Sequence, residues 1–275
     1  MAETGEHSEG LLLGRQVPVT DRYAPELLYP IPRSAARDVL GIQTGVLPFQ
    51  GVDLWHAYEL SWLDGAGRPE GFVGRFSIPV TSPFLVESKS FKLYLNSLNQ
   101  QRFASSSAAI AQICSDVGAV AGADVNLDLF AVDDPALAGR PLPGDCLDQL
   151  DASWSDREPD ISRMQVGPGS ARQICYTHLL RSLCPVTGQP DWATLWIDLD
   201  GRELVPETLL EYLLSYRNHQ EFHEQCVERI FCDIYTVCSP IELCVQAFYT
   251  RRGGLDITPF RSIGDRQPLP RMNRQ

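Results

Sequence analysis

Four stretches of this 275-residue chain hold side chains whose types and spacing suit chemistry. The first is Ser182-Leu183-Cys184-Pro185-Val186-Thr187-Gly188-Gln189-Pro190-Asp191-Trp192. A cysteine in a connection between strands, with a carboxylate seven residues on, suits a nucleophile and a proton donor. Cysteine attacks as the thiolate, so it needs a polar or positive setting. The plainer reading is a turn whose cysteine merely packs. The second stretch is Val86-Glu87-Ser88-Lys89-Ser90-Phe91-Lys92-Leu93-Tyr94. Glu87 and Ser88 fall at a helix start, where free N–H groups and the helix dipole favour anions, and Lys89 and Lys92 add charge. Ordinary N-capping with a solvated face is the plainer reading there.

The third stretch is His219-Gln220-Glu221-Phe222-His223-Glu224-Gln225-Cys226. His219 and His223, four apart, would share a helix face and permit zinc with Cys226 or a glutamate. The H-E-x-x-H order is absent, however, and satisfied or solvent-facing histidines are the plainer reading. The fourth is Tyr249-Thr250-Arg251-Arg252-Gly253-Gly254-Leu255-Asp256. Arginine binds phosphate bidentately and glycine lets backbone approach it closely, though a plain surface turn also fits. Gly65, Gly67 and Gly71 lack the spacing of a Rossmann phosphate loop and sit in a hairpin turn. No C-x-x-C pair closes a zinc site, and the even spacing of Cys226, Cys232, Cys238 and Cys244 is read as chance, because six residues turn a helix by about 600°.

The elements that must position these residues follow from periodicity. Val52–Trp62 and Phe72–Val80 read as strands joined by a turn over Gly65–Gly71. Ser88–Leu98 is a helix, and Ser105–Ser107 offer N-caps for a second helix carrying Ile110, Ile113 and Val117. Val125–Phe130 is a strand. The second half repeats the order: strands over Gln173–Arg181 and Ala193–Leu199, a helix from Pro206 to about Arg217, a helix striped by Val227, Ile230, Phe231, Ile234 and Val237, and a strand through Leu243–Tyr249. Two β-β-α-α-β modules give an α+β fold with antiparallel sheets backed by helices. The boundaries expected are a lead-in over 1–47 that packs on the surface, a first module over 48–135, a linker over 136–169 rich in Pro, Gly and Asp, and a second module over 170–275.

Composition bounds the rest. With 44% hydrophobic and 21% charged residues the chain is neither disordered nor a coiled coil. Its formal charge of −12 argues against nucleic acid and anionic membranes as partners. A local basic cluster near the end, formed by Arg251, Arg252, Arg261, Arg266, Arg271 and Arg274, still allows a small anionic ligand. No run is apolar for long enough to span a bilayer, and the acidic start lacks a secretion signal, so cytoplasmic location and reduced thiols are expected.

Together the four stretches resemble the NADPH-dependent 7-cyano-7-deazaguanine reductases, the nitrile reductases of queuosine biosynthesis (the QueF family). The Glu-x-Lys-Ser motif at Glu87–Tyr94, the Cys184–Asp191 segment, Phe222–Ile230 and Tyr249–Ile257 all match at their motif positions. The match is to the long form, with the glutamate motif in the first module and the cysteine in the second. The resemblance implies two tandem tunnelling-fold (T-fold) modules, NADPH as cofactor, 7-cyano-7-deazaguanine as small-molecule substrate, no metal, and a homodimer. It implies that Cys184 attacks the nitrile carbon to form a thioimide, that Asp191 supplies a proton, and that His223 assists. It places Val86, Glu87, Ser88, His223 and Glu224 at the deazaguanine, and Ser88, Lys89, Arg252 and Gly253 at NADPH. The rival readings are a zinc-dependent T-fold pterin or purine enzyme using His219, His223 and a cysteine, and a non-catalytic purine-binding module.

Overall fold

The computed structural model describes residues 20, 22–43 and 45–275. In chain order the elements are β1 (Pro30–Pro32), α1 (Ser34–Val39), β2 (Gln50–Leu63), β3 (Pro69–Pro79), β4 (Phe84–Val86), α2 (Ser88–Ser97), α3 (Ser106–Ala121), β5 (Asn126–Phe130), β6 (Asp145–Cys146), β7 (Val166–Leu183), β8 (Pro190–Leu204), α4 (Pro206–Leu214), α5 (His223–Cys238), β9 (Glu242–Tyr249) and β10 (Leu255–Ser262). They fall into two compact units. One takes the described residues through Ala35 together with Trp55–Ala136 and Arg252–Leu255. The other takes Ala36–Leu54, Leu137–Arg251 and Asp256–Gln275.

In the first unit the strand order is β5-β3-β2, with β3 and β5 antiparallel through Val73↔Phe130 to Ser77↔Asn126. Alternation along β3 buries Phe76 and Ile78. Phe91 of α2 meets Trp55 and Phe76 edge-on at 5.4 and 4.9 Å, which fixes the helix against β2 and β3. Ser105 caps α3 by accepting from the Ala108 N–H, and Ala109, Ile113, Val117 and Ala121 form its buried stripe, with Ile110 only partly covered. The stretch before residue 48 contributes more than a lead-in: β1 pairs antiparallel with β4 (Pro30↔Val86), and Ala24 and Leu28 are buried.

In the second unit the order is β10-β9-β8-β7-β6. β7 and β8 run antiparallel from Val166↔Leu204 to Leu183↔Pro190, and both are longer than their apolar alternation suggested. β8 pairs with β9 from Ala193↔Tyr249 to Asp200↔Glu242. The short β6 is the exception to antiparallel pairing: it lies parallel to β7, inside the stretch read as a linker. β10 was not anticipated. Pro259 sits inside it, and a proline without an N–H argues against a strand in sequence. α4 begins at Pro206 as expected but ends at Leu214, and a tight turn of 3-10 helix carries the chain to Asn218. α5 buries Val227, Ile230, Phe231 and Ile234, and Cys238 rather than Val237 completes the stripe.

Arg261 crosses the interior of this second unit fully buried. It donates to Asp53 at 2.7 Å and to Glu228 of α5 at 2.9 and 3.2 Å. Glu228 also takes a bidentate pair of bonds from Arg37 at 2.8 and 2.9 Å. Burial alone would lower the Arg261 pKa, but the two carboxylates overcome it and hold the guanidinium protonated.

Candidate functional site

The cluster around Cys184, in the second unit, is built by strand alternation. Cys184 directly follows β7 and closes the turn to β8: its N–H donates to the Gln189 carbonyl and its carbonyl accepts from the Gly188 N–H, both at 2.9 Å. Ser182 is paired with Asp191 across the two strands. Since side chains two apart in a strand share a face, Ser182, Cys184, Asp191 and Ala193 point the same way. Ala193 is paired in turn with Tyr249 of β9. One face at the end of the sheet thus gathers a thiol, a carboxylate and an aromatic ring. Cys184 is 8% exposed and Asp191 4%.

α5 adds the imidazole. The loop before it is laced to β7: the Leu183 N–H donates to the His219 carbonyl at 2.8 Å, and the Glu221 N–H donates to the Leu183 carbonyl at 3.2 Å. This sets His223 at the first helical position, its Nε2 3.2 Å from Asp191 Oδ2. The imidazole lies flat on the Tyr249 ring, centroids 3.8 Å apart and planes at 14°. Sequence reasoning missed Tyr249 in this role, for it lies 26 positions from His223 and only the sheet joins them. The Tyr249 hydroxyl and Ser182 Oγ are buried without a hydrogen bond of ordinary length, beside Cys226. Burial pushes the Cys226 thiol and the Tyr249 phenol well above their ordinary pKa values, so both stay neutral. Glu224 is buried in the first turn of α5, where Phe222 offers no side-chain cap and the dipole favours an acid.

Glu221 holds this loop. It accepts from Arg229 at 2.8 and 3.1 Å and lies 3.2 Å from His219, whose other ring nitrogen is 2.6 Å from Glu158. Burial alone would lower the His219 pKa, yet these two acids raise it. Burial alone would raise that of Glu221, yet His219 and Arg229 lower it. His219 lies before α5 and not on it, so the shared helix face expected for His219 and His223 does not form. Among the described residues neither His219 nor His223 belongs to a group of three possible metal ligands. Cys226, Cys232 and Cys238 lie on α5 and Cys244 on β9, all as free thiols.

A separate cluster around Glu87 lies in the first unit. Glu87 is the N-cap of α2, its carboxylate accepting from the Lys89 and Ser90 N–H groups at 2.7 and 2.8 Å. It is 1% exposed, and burial raises its pKa against those bonds. The Glu87 N–H donates to the Tyr29 carbonyl at 2.9 Å, and Ser90 Oγ accepts from the Tyr29 N–H at 3.0 Å, so β1 grips the start of the helix. Val86 is the last, buried residue of β4, and Ser88 and Lys89 open α2, each partly exposed. Arg252 and Gly253 are exposed in a tight hairpin closed by Arg252 and Leu255. Gly253 and Gly254 take φ of +59° and +82°, which a two-residue hairpin needs and only glycine adopts freely. The hairpin borders a cleft with Lys92, Asn96 and Asn99, and Lys92 is 3.5 Å from Glu59.

The basic cluster read near the end of the chain does not form one patch. Arg261 is buried, and Arg266 bonds Glu242 and Asp198. Arg271 donates to the Leu137 and Gln275 carbonyls. Arg274 donates to the His178 carbonyl and lies over Trp192 at 5.7 Å. Internal acceptors absorb these charges because a guanidinium carries five donors to satisfy.

A thiol beside an acid–imidazole pair at the end of an antiparallel sheet marks an α+β protein with a candidate reactive centre. Residues 19–129 match the family model described as nitrile reductase, 7-cyano-7-deazaguanine-reductase N-term, and residues 190–268 match that of QueF-like protein. Three curated relatives are named NADPH-dependent 7-cyano-7-deazaguanine reductase. That of Chromohalobacter salexigens is 48% identical over all of both chains. That of Teredinibacter turnerae is 49% identical over 94% of this chain and 92% of its own, and that of Dechloromonas aromatica 50% over 92% and 90%. A crystal structure of the archaeosine synthase QueF-Like in the apo form covers 37% of this chain and 99% of its own at 17% identity and TM-score 0.31, too low to bear on the fold. The chain belongs to the NADPH-dependent 7-cyano-7-deazaguanine reductase family, with its tandem T-fold architecture.

Proposed function

We propose that this protein reduces the nitrile of 7-cyano-7-deazaguanine to the primary amine of 7-aminomethyl-7-deazaguanine, with two NADPH per turnover, in queuosine biosynthesis. The observation that carries the reading is the placement of Asp191 and His223 at 3.2 Å, on the face that also bears Cys184. The Cys184 sulfur adds to the nitrile carbon and the nitrogen takes a proton from Asp191, giving a covalent thioimide. This step matters because a nitrile is a poor hydride acceptor and a protonated thioimide a better one. Bound NADPH supplies the hydrides. After the first reduction Cys184 leaves as thiolate, and Asp191, reprotonated through His223, gives a proton to the developing amine.

Glu224, buried beside His223, suits the donor pair on the N1 and 2-amino edge of the base. Glu87, which keeps lone pairs beyond its two cap bonds, is the other candidate for that role, with Val86 and Ser88 beside it. Ser88, Lys89, Arg252 and Gly253 are the groups we assign to NADPH. The residues present fit that cofactor: a glycine hairpin with open backbone borders a polar cleft beside Lys92, and an Arg/Lys pair suits a 2′-phosphate. No described helix is long and apolar enough to cross a membrane. The reading takes the protein to be a cytoplasmic enzyme. The same reading makes the protein a homodimer without nucleic-acid partners. The test is NADPH oxidation on adding 7-cyano-7-deazaguanine, with intact mass for the adduct. Cys184→Ala abolishes both signals, and an adduct persisting in that variant refutes the assignment. Asp191→Asn slows reduction more than adduct formation.

A further inference from the structure

A second group of chemically competent side chains lies on β6 and β7. The thiol of Cys146, a carboxylate oxygen of Asp148 and a ring nitrogen of His178 all lie within 4.8 Å of one another. The backbone explains the grouping. β6 runs parallel to β7 with Cys146 beside Tyr176, and the Leu147 N–H donates to the Tyr176 carbonyl at 2.9 Å. Residues two apart in extended chain share a face, so Cys146 and Asp148 on one side meet Tyr176 and His178 on the other.

The carboxylate and the imidazole are each held by a neighbour. Asp148 Oδ1 accepts from the Thr177 hydroxyl at 2.6 Å and the His178 N–H at 3.1 Å. His178 Nδ1 is 2.9 Å from the hydroxyl of Thr194, which is fully buried. Such outer hydrogen bonds fix the tautomer and the aim of metal ligands. Bonds of about 2.0–2.3 Å in a tetrahedron separate ligand atoms by about 3.3–3.8 Å, so small side-chain rotations close the group. Thiolate, imidazole and carboxylate together select a borderline cation such as Zn²⁺ over Mg²⁺ or Ca²⁺.

We propose that Cys146, Asp148 and His178 form a Zn²⁺ site with water in the fourth position, which staples the β6 segment to β7. Binding releases the thiol proton to solvent and involves no electron transfer. The test is titration of metal-free protein with Co²⁺, read by thiolate-to-cobalt charge-transfer absorption in the near ultraviolet. One equivalent saturates the band, and Zn²⁺ abolishes it. The band persists in Cys184→Ala, vanishes in Cys146→Ser, and needs at least ten-fold more cobalt in His178→Gln. A band that survives Cys146→Ser, or that is lost in Cys184→Ala, overturns the proposal. A measurement on the unmodified protein needs no variant to fold. Cys146 is exposed, so iodoacetamide labels it, and Zn²⁺ slows that labelling at least ten-fold by peptide mass. Unchanged labelling also overturns the proposal.

Discussion

Tyr249 separates two contributions of one side chain. Its ring carries His223, and its hydroxyl makes no hydrogen bond of ordinary length. Tyr249→Phe keeps the stack and removes a buried polar atom with little to lose. It therefore leaves the turnover number within two-fold and stability equal or slightly higher. Tyr249→Leu removes the ring. An aromatic pair contributes about 0.5–1.5 kcal/mol beyond area burial, which is about 2- to 13-fold in the population of a correctly aimed imidazole. The turnover number should fall by that factor, with KM for the nitrile changing less. Tyr249 is 1% exposed, so the same change also leaves a cavity and costs about 1–3 kcal/mol of stability. That loss still leaves the protein folded at assay temperature, since domains carry about 5–15 kcal/mol. Steady-state NADPH oxidation and thermal melts of both variants make the comparison. A turnover loss in Tyr249→Phe as large as in Tyr249→Leu, or none in either, refutes the positioning argument.

Arg261→Met takes the guanidinium from Asp53 and Glu228 in the interior and should cost about 3–5 kcal/mol in urea unfolding. The His219–Glu221 pair gives the loop before α5 a pH window. The raised His219 pKa stabilises below about 6.5 and fades as pH rises through the higher folded value; the lowered Glu221 pKa stabilises above about 4.5 and fades as pH falls through the lower one. Amide exchange of residues 219–222 should therefore be slowest relative to the chemical rate near pH 5.5, and His219→Gln should flatten the high-pH side. Ser105→Ala removes the cap of α3 and should cost about 1 kcal/mol, read as a lower midpoint in a thermal melt.

Much of this was readable along the chain because the signals are local. Ser105 before an apolar stripe, Glu87 before a helical run, and Pro206 at a first turn each state a helix start within a few residues. Cys184 and Asp191 could be paired in advance because a short turn joins their strands. The rest depends on partners far away in sequence. Arg261 reads as surface charge until Asp53, Glu228 and the burial of β10 are known. Pro259 disguises that strand. β6 is two residues long and declares itself only by lying against β7. The His223–Tyr249 stack requires α5 and β9 to meet, and no periodicity encodes that meeting.

The three-residue strand β1 has a practical meaning for anyone handling this protein. Tyr29 holds both the backbone of Glu87 and the hydroxyl of Ser90. A protease nick, a tag or a surface tether acting on residues 29–32 therefore tugs on the first turn of α2. Expression trials that trim the chain past Tyr29 would deliver a product with a slackened glutamate, and a change in its behaviour would be misread as damage at Cys184.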